Sequence, residues 1–403
     1  MIRRILLSAC LLAPVFASAA DFGIVMYQNL PLGTPEVSGD GIAEYSGFIL
    51  PWVSGLLGEN AELYASGGLR IKYERFDLGD EGREWKLIPD IGRFELGFRP
   101  APGLNLELGR FAFSETLGFV LSGLFDGLGA VWSAGGSRLR AGALYTGLLY
   151  KKTGYIVMSN SDLMDYHDRD VYFASRRLVF ALNWEAPSFL DTRNQLDLGT
   201  LAQFDLNGGD DNIHSQYFLA RWRRSLGSGW YTDLGAVFDT EERNGEGGFG
   251  FAFSLNPFRV PAGRPSDRLF FKARFSSGNG DGRLRSFKPL STEAQGRILR
   301  TRFSGISLLE LGYTARLLQK LEGEAAAAYF FRSDRETYYD PDLDADSRAA
   351  GLGGELSTRF TWTPGSWCVL NLGLGVFLPG LGGAYKPQAG IKWRLESGLT
   401  LSF

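Results

Sequence analysis

The last thirteen residues of the chain, 391–403, have the sequence IKWRLESGLTLSF. Apolar side chains occupy almost every second position of this stretch, and most of the positions between them are polar or charged. Successive side chains of a β-strand point to opposite faces, so the pattern predicts a strand with one apolar and one charged face. Residues 84–98, 267–277 and 347–362 show the same alternation, which therefore extends far along the chain.

Alternation of this kind predicts 18 strands. We expect them at residues 21–29, 43–54, 60–76, 84–98, 104–113, 123–134, 137–150, 170–185, 194–206, 213–226, 229–241, 247–258, 267–277, 304–318, 321–333, 347–362, 366–378 and 388–403. Most of these segments reach the ~9–11 residues that a tilted strand needs to cross a bilayer.

The connections between the predicted strands differ in length on the two sides. Tight turns are expected at 57–59, 99–103, 135–136, 227–228, 319–320 and 364–365. Longer polar connections are expected at 30–42, 151–169, 278–303 and 334–346. Bacterial outer-membrane barrels show this asymmetry, with short periplasmic turns, and an even strand count places both termini on the periplasmic side. A long connection at 186–193 and a short one at 242–246 leave 16 strands as the alternative count.

Composition agrees with a barrel and excludes several other classes of protein. The 403 residues include 53 glycines and 14% aromatic residues, and no apolar stretch approaches the ~20 residues of a membrane-spanning helix. A soluble β-sandwich also alternates, but a chain of this length would usually divide into domains, and no linker is evident. We therefore predict an all-β protein, a single transmembrane antiparallel up-and-down barrel over residues 20–403 in contact with outer-membrane lipid. The net charge of −3 does not indicate a nucleic-acid partner.

The first 19 residues have the pattern of a secretory signal peptide. Arg3 and Arg4 precede an apolar run over residues 5–16, and the small residues 17–19 form a cleavage site. Residues 7–10 offer a lipoprotein cleavage box as the alternative, although the apolar stretch before Cys10 is only four residues long. Either reading directs the chain across an inner membrane.

Two features resemble known outer-membrane proteins. The final strand, which ends in Phe403, resembles the signal that the barrel-assembly machinery recognises. Residues 108–111 and 124–127 resemble the Gly-Arg and Phe-Asp-Gly elements of the alginate-export family and related 18-stranded porins, and residues 372–380 are similar to that family's penultimate strand. Phe111 stands where the family usually has a polar residue. The resemblance implies a barrel that passes hydrophilic, often anionic, solutes.

Alternation also predicts which charged side chains face the lumen. A charge facing lipid at mid-membrane costs about 2–4 kcal/mol, so charges on the strands are expected to point inward. Such residues either form cross-strand ion pairs that stiffen the wall or set the selectivity of a pore. The candidates are Arg70, Lys72, Arg93, Arg221, Arg223, Arg268, Lys272, Arg274, Glu310, Arg316, Glu322, Glu324, Glu355, Arg359, Lys392 and Arg394.

Neighbouring strands at 267–277 and 304–318 place several of these cations in one sector. If Arg268, Lys272 and Arg274 face open water, neutralising them together shifts ion selectivity toward cations. If ion pairs saturate them, the same change lowers stability instead.

The connection 278–303 is the best candidate for a gate. Guanidinium groups suit carboxylate or phosphate, and a basic loop folded into the lumen would attract anions. Pointing outward, it would form only a basic surface. The residues concerned are Arg283, Arg285, Lys288, Arg297 and Arg300.

Chemical sites are not expected from the remaining residues. The chain has two histidines, and catalysis by His167 would require a serine or carboxylate beside it in space. The aspartates of residues 340–346 lack the glycine turn and closing glutamate of a calcium loop. We therefore expect no metal, no cofactor and no enzymatic activity.

Together these patterns predict an outer-membrane, porin-like channel for the passive passage of small hydrophilic solutes. The alternatives are a surface-exposed adhesin or binding barrel with a narrow lumen and a barrel hydrolase. Pore conductance separates the first reading from the second.

Replacement of the terminal aromatic tests the assembly signal. Phe403→Asp places a charge on the apolar face of the last strand, and insertion into the outer membrane should fall. Heat-modifiable gel migration of membrane fractions measures the folded barrel. Unchanged insertion would show that the resemblance to the assembly signal is misleading.

Overall fold

The computed structural model describes residues 20–34, 42–43, 45–57, 59–75, 83–168, 170–208, 211–291 and 294–403. The predicted signal peptide lies outside the described residues. None of the helices in this part of the chain is long and apolar enough to cross a membrane.

Eighteen long strands form one antiparallel sheet in the described part of the chain. They are β1 Ala20–Gly33, β2 Tyr45–Leu56, β3 Ala61–Arg75, β4 Arg83–Ala101, β5 Leu104–Ser114, β6 Ser122–Ala134, β7 Ser137–Tyr145, β8 Arg177–Ala186, β9 Asn194–Asp205, β10 Ile213–Gly227, β11 Trp230–Arg243, β12 Glu246–Leu255, β13 Arg268–Ser276, β14 Ile306–Leu318, β15 Leu321–Arg332, β16 Gly351–Gly365, β17 Cys368–Leu378 and β18 Lys392–Ser402. The two-residue segment Ile42–Ala43 pairs with β1. The two-residue segment Phe258–Arg259 pairs with β11 on one side and with β13 on the other.

Each strand pairs with the next along the chain, and the last strand pairs with the first. The register between β1 and β18 runs from Val25 opposite Ser402 to Gly33 opposite Arg394. The sheet is therefore a closed barrel. The predicted fold and the count of 18 are confirmed, and the alternative count of 16 is wrong.

The largest difference from the predicted strands lies between β7 and β8. The predictions extended strands to residue 150 and from residue 170, whereas β7 ends at Tyr145 and β8 begins at Arg177. Two short helices occupy this connection, α1 Lys151–Gly154 and α2 Asn160–His167. The apolar residues Leu149 and Ala174 lie in the overextended parts of the predicted strands, but both are buried in an interior cluster.

The two faces of the barrel differ as the alternation requires. On β14, Leu309 and Leu311 are exposed on the outer face, while Ile306 and Leu308 are buried. The same division holds on β10, where Tyr217 is fully buried and Phe218 is half exposed. The inner face of the wall is therefore covered over part of its area.

A single substitution on the outer face tests this orientation. Leu311→Arg should lower the free energy of unfolding in lipid vesicles by about 2–4 kcal/mol, because the guanidinium would face hydrocarbon near mid-membrane. Leu190→Arg, in the connection between β8 and β9, is the matched control and should change it by less than ~0.5 kcal/mol. Equal effects would contradict a lipid-facing position for Leu311.

Candidate functional site

Three connections fold into the barrel and cover its inner wall. In the described part of the chain they comprise residues 115–121, residues 146–168 with 170–176, and residues 277–291 with 294–305, and we call the last the 277–305 connection. Their apolar side chains share one buried cluster with the wall. Phe303 makes edge contacts with Phe119 and Phe287, with ring centroids 5.3 and 5.8 Å apart. Of the two orientations left open for residues 278–303, the structure shows the inward one.

Polar contacts hold the 277–305 connection against the wall. The N–H of Leu290 donates to the carbonyl of Val120 at 2.9 Å, and the Tyr217 hydroxyl donates to the carbonyl of Lys288 at 2.7 Å. The Lys288 ammonium binds Glu241 at 3.0 Å. Of the gate candidates, Lys288 therefore fastens the loop, and Arg285 lies 3.9 Å from Glu246 at the edge of β12. Arg283 accepts a backbone hydrogen bond from Phe249 in the same region.

Buried carboxylates shape the other two connections. Glu115 accepts backbone hydrogen bonds from Leu117, Phe119 and Val120. Burial raises the pKa of the Glu115 carboxyl, and these N–H groups oppose that shift because they stabilise the charged form. The result is a compact turn held inside the lumen.

Arg177 holds the helical connection to the wall. Its guanidinium is fully buried, 2.8 Å from Asp205 on β9 and 2.6 Å from Asp162 on α2. Asp162 also forms a capping box with Ser159 at the start of α2. No sequence pattern singles out Arg177, because its partners are remote in sequence and it lies inside a predicted strand.

The open part of the lumen is a cavity of about 1430 Å³. It lies between the inserted connections on one side and the wall formed by β16, β17, β18, β1 and β3 on the other. Glu396 is the only carboxylate among the described residues that line it, against seven cations. These are Arg70, Lys72, Lys152, Arg297, Arg300, Arg359 and Arg394.

Several of these cations are held by neighbouring groups. Arg70 lies 3.2 Å from Asp90, and Arg297 pairs with Glu324. The Lys152 ammonium lies 3.5 Å from the centre of the Tyr166 ring. The cationic groups of these contacts lie in the cavity lining, where cations outnumber carboxylates.

The other lumen candidates are not in the lining of this cavity, and they contact other residues of the wall or of the connections. Lys272 binds Glu310 at 2.6 Å, Arg268 lies over the Phe258 ring, and Arg274 stacks on Phe119. Neutralising these three is therefore expected to cost stability. Further ion pairs are Arg221 with Asp233, Arg223 with Asp197, Arg93 with Glu95, and Lys392 with Asp340. Arg316 lies opposite Glu322 in the strand register. Glu355 is buried against loop backbone.

The histidine and the acidic loop show ordinary contacts. The Nδ1 atom of His167 lies 2.9 Å from the carbonyl oxygen of Leu163. Asp340 binds Lys392 and accepts a hydrogen bond from Tyr385 at 3.1 Å. The described residues contain no group of three or more His, Cys, Asp or Glu side chains suited to a metal ion.

Solved structures with the same architecture come from Pseudomonas aeruginosa. The outer-membrane protein OpdK is 11% identical, covers 96% of this chain over 100% of its own length, and superposes with a TM-score of 0.62. The chain has the fold of an 18-stranded outer-membrane porin. OpdK with vanillate is 12% identical over 96% of this chain and 100% of its own, with a TM-score of 0.59. OccK2 (OpdF) in complex with glucuronate is 11% identical over 96% and 99%, with a TM-score of 0.60.

The sequence matches no protein-family model and no curated protein. The resemblance to the alginate-export family therefore stays a prediction, and the porin fold rests on the structure.

Removal of the Arg177 guanidinium tests whether this residue holds the helical connection to the wall. Arg177→Gln leaves Asp162 and Asp205 buried without their cation, which should cost about 3–5 kcal/mol of unfolding free energy. Trypsin should also cleave sooner at Lys151 and Lys152. Urea unfolding and timed proteolysis measure the two effects. The adjacent, exposed Arg176 provides the control. If Arg176→Gln has the same effects, this role of Arg177 is contradicted.

Proposed function

We propose that the chain is a bacterial outer-membrane channel that favours small anionic solutes over cations. The observation that carries this proposal is the lining of the cavity, where seven cations face one carboxylate. Fixed charges of one sign along a pore set which ions pass. Outer-membrane lipid and the barrel-assembly machinery are the partners that such a location requires, and residues 1–19 are the proposed export signal.

The inserted connections make the lining effective. They narrow the lumen to a passage beside the basic wall, so a solute travels within the Debye length, about 8 Å at physiological ionic strength, of several cations. Low-dielectric walls also focus the field of these charges. In a wide, unfilled barrel, ions of the bulk solution would screen these charges.

Carboxylates are the class of anion that the lining suits best. Arginine guanidinium groups bind carboxylates through two parallel hydrogen bonds, and Arg300, Arg359 and Arg394 are on the cavity wall. Vanillate and glucuronate, found with two of the similar structures, are both carboxylates. These observations support the proposal for this chain without identifying one solute.

Neutralising part of the lining tests the proposal. Arg300→Gln with Arg359→Gln should lower the ratio of anion to cation permeability several-fold, because two cations leave the passage. Reversal potentials across a planar bilayer under a salt gradient give this ratio. Arg264→Gln, in the connection between β12 and β13, is the matched control and should leave it unchanged.

Two results would contradict the proposal. A wild-type channel that prefers cations would show that this cavity is not the conducting path. A folded barrel without conductance would favour the adhesin reading instead.

A further inference from the structure

Residues 295–301 form a small hairpin at the end of the 277–305 connection that faces the cavity. Gln295 and Thr301 exchange both backbone hydrogen bonds, with N–O distances of 2.7 and 3.0 Å. We call these residues the tip hairpin. Its side chains Arg297 and Arg300 supply two of the seven cations in the lining.

One buried carboxylate on the wall binds the tip hairpin through its backbone. Glu355 on β16 accepts hydrogen bonds from the N–H groups of Arg297, Ile298 and Leu299 at 2.8, 3.0 and 3.1 Å. Both of its oxygens are used, and the residue is 3% exposed. Successive N–H groups that converge in this way form an anion site, and bonds to a charged acceptor are the strong ones.

Packing around the hairpin leaves little room for another arrangement. Gly296 has φ +79°, and a Cβ there would lie 2.7 Å from the Phe330 ring and 3.0 Å from a Glu355 oxygen. The side chains of Ile298 and Leu299 are buried in the cluster beneath. The backbone of the hairpin therefore sits directly on Glu355 and Phe330.

We propose that Glu355 is a positioning residue for selectivity, which holds the tip hairpin so that Arg297 and Arg300 line the passage. This inference rests on the proposed function. Glu355 acts through the backbone that it binds, because its two carboxylate oxygens accept hydrogen bonds from three N–H groups. Solute in the passage meets the two arginines and not this carboxylate.

The direction in which the ratio of anion to cation permeability changes separates this role from that of a simple lumen charge. If Glu355 acted as a negative charge facing the solute, its neutralisation would raise the preference for anions. If it anchors the hairpin, neutralisation releases the two arginines, and the preference for anions falls. An amide replaces the carboxylate only in part, because its single oxygen accepts at one of the two positions while its NH₂ group faces a hairpin N–H that needs an acceptor.

The experiment compares Glu355→Gln with Glu324→Gln in planar bilayers. Glu324 lies on the adjacent strand β15 and pairs with the Arg297 side chain, so its neutralisation removes a charge in the same sector without touching the hairpin backbone. Glu324→Gln should raise the ratio of anion to cation permeability, with a steady open current, because a negative charge is lost while the tip hairpin stays bound to Glu355. Glu355→Gln should lower that ratio several-fold and make the open current fluctuate.

A Glu355→Gln channel that shifts in the same direction as Glu324→Gln, with a steady current, would overturn the proposal. Heat-modifiable migration checks that each barrel has folded. If Glu355→Gln fails to assemble, Glu355→Asp decides: its carboxylate is one methylene shorter and should produce the same changes at smaller size. An unchanged Glu355→Asp channel would also overturn the proposal.

The wild-type channel tests the proposed function separately. Its reversal potential alone shows whether anions are preferred. Should it show no preference, the anchoring role is still decided by whether the current fluctuates in the Glu355 variants and stays steady in Glu324→Gln.

Discussion

A peptide group placed in hydrocarbon must find its hydrogen-bond partner within the protein, because no water is available there. A sheet can meet this requirement only when it has no free edge. Here the pairing of β1 with β18, from Val25 opposite Ser402 onward, removes the last edge. Closure then divides every strand into a face toward lipid and a face toward the lumen.

The inner face carries a second requirement, since charged groups away from water need partners. Three connections meet it by folding inward, and each is held by a buried ionic side chain. Glu115 binds backbone N–H groups of its own turn, Arg177 joins α2 to the wall, and Glu355 binds the tip hairpin. The inserted connections leave the remaining passage along the wall formed by β16, β17, β18, β1 and β3.

That passage has an unequal distribution of charge. Many cations on the strands are matched by carboxylates, as Lys272 is by Glu310. Along the open cavity the cations outnumber the carboxylates, and the cavity-facing arginines of the tip hairpin add to them. Selectivity, on this view, depends as much on where the loops place their backbone as on the number of charges in the chain.

The sequence by itself determined the barrel, its 18 strands and the division between outer and inner faces. It could do so because alternation is a local property. Successive side chains of a strand point to opposite faces, whatever the rest of the chain does. It did not determine which inward charges face open water. Arg359 and Arg268 both lie on predicted inward faces, yet Arg359 lines the cavity and Arg268 lies over Phe258. Only the tertiary structure decided this, because the path of the 277–305 connection and the contacts of Glu355 and Arg177 join residues far apart in sequence, which no local pattern records.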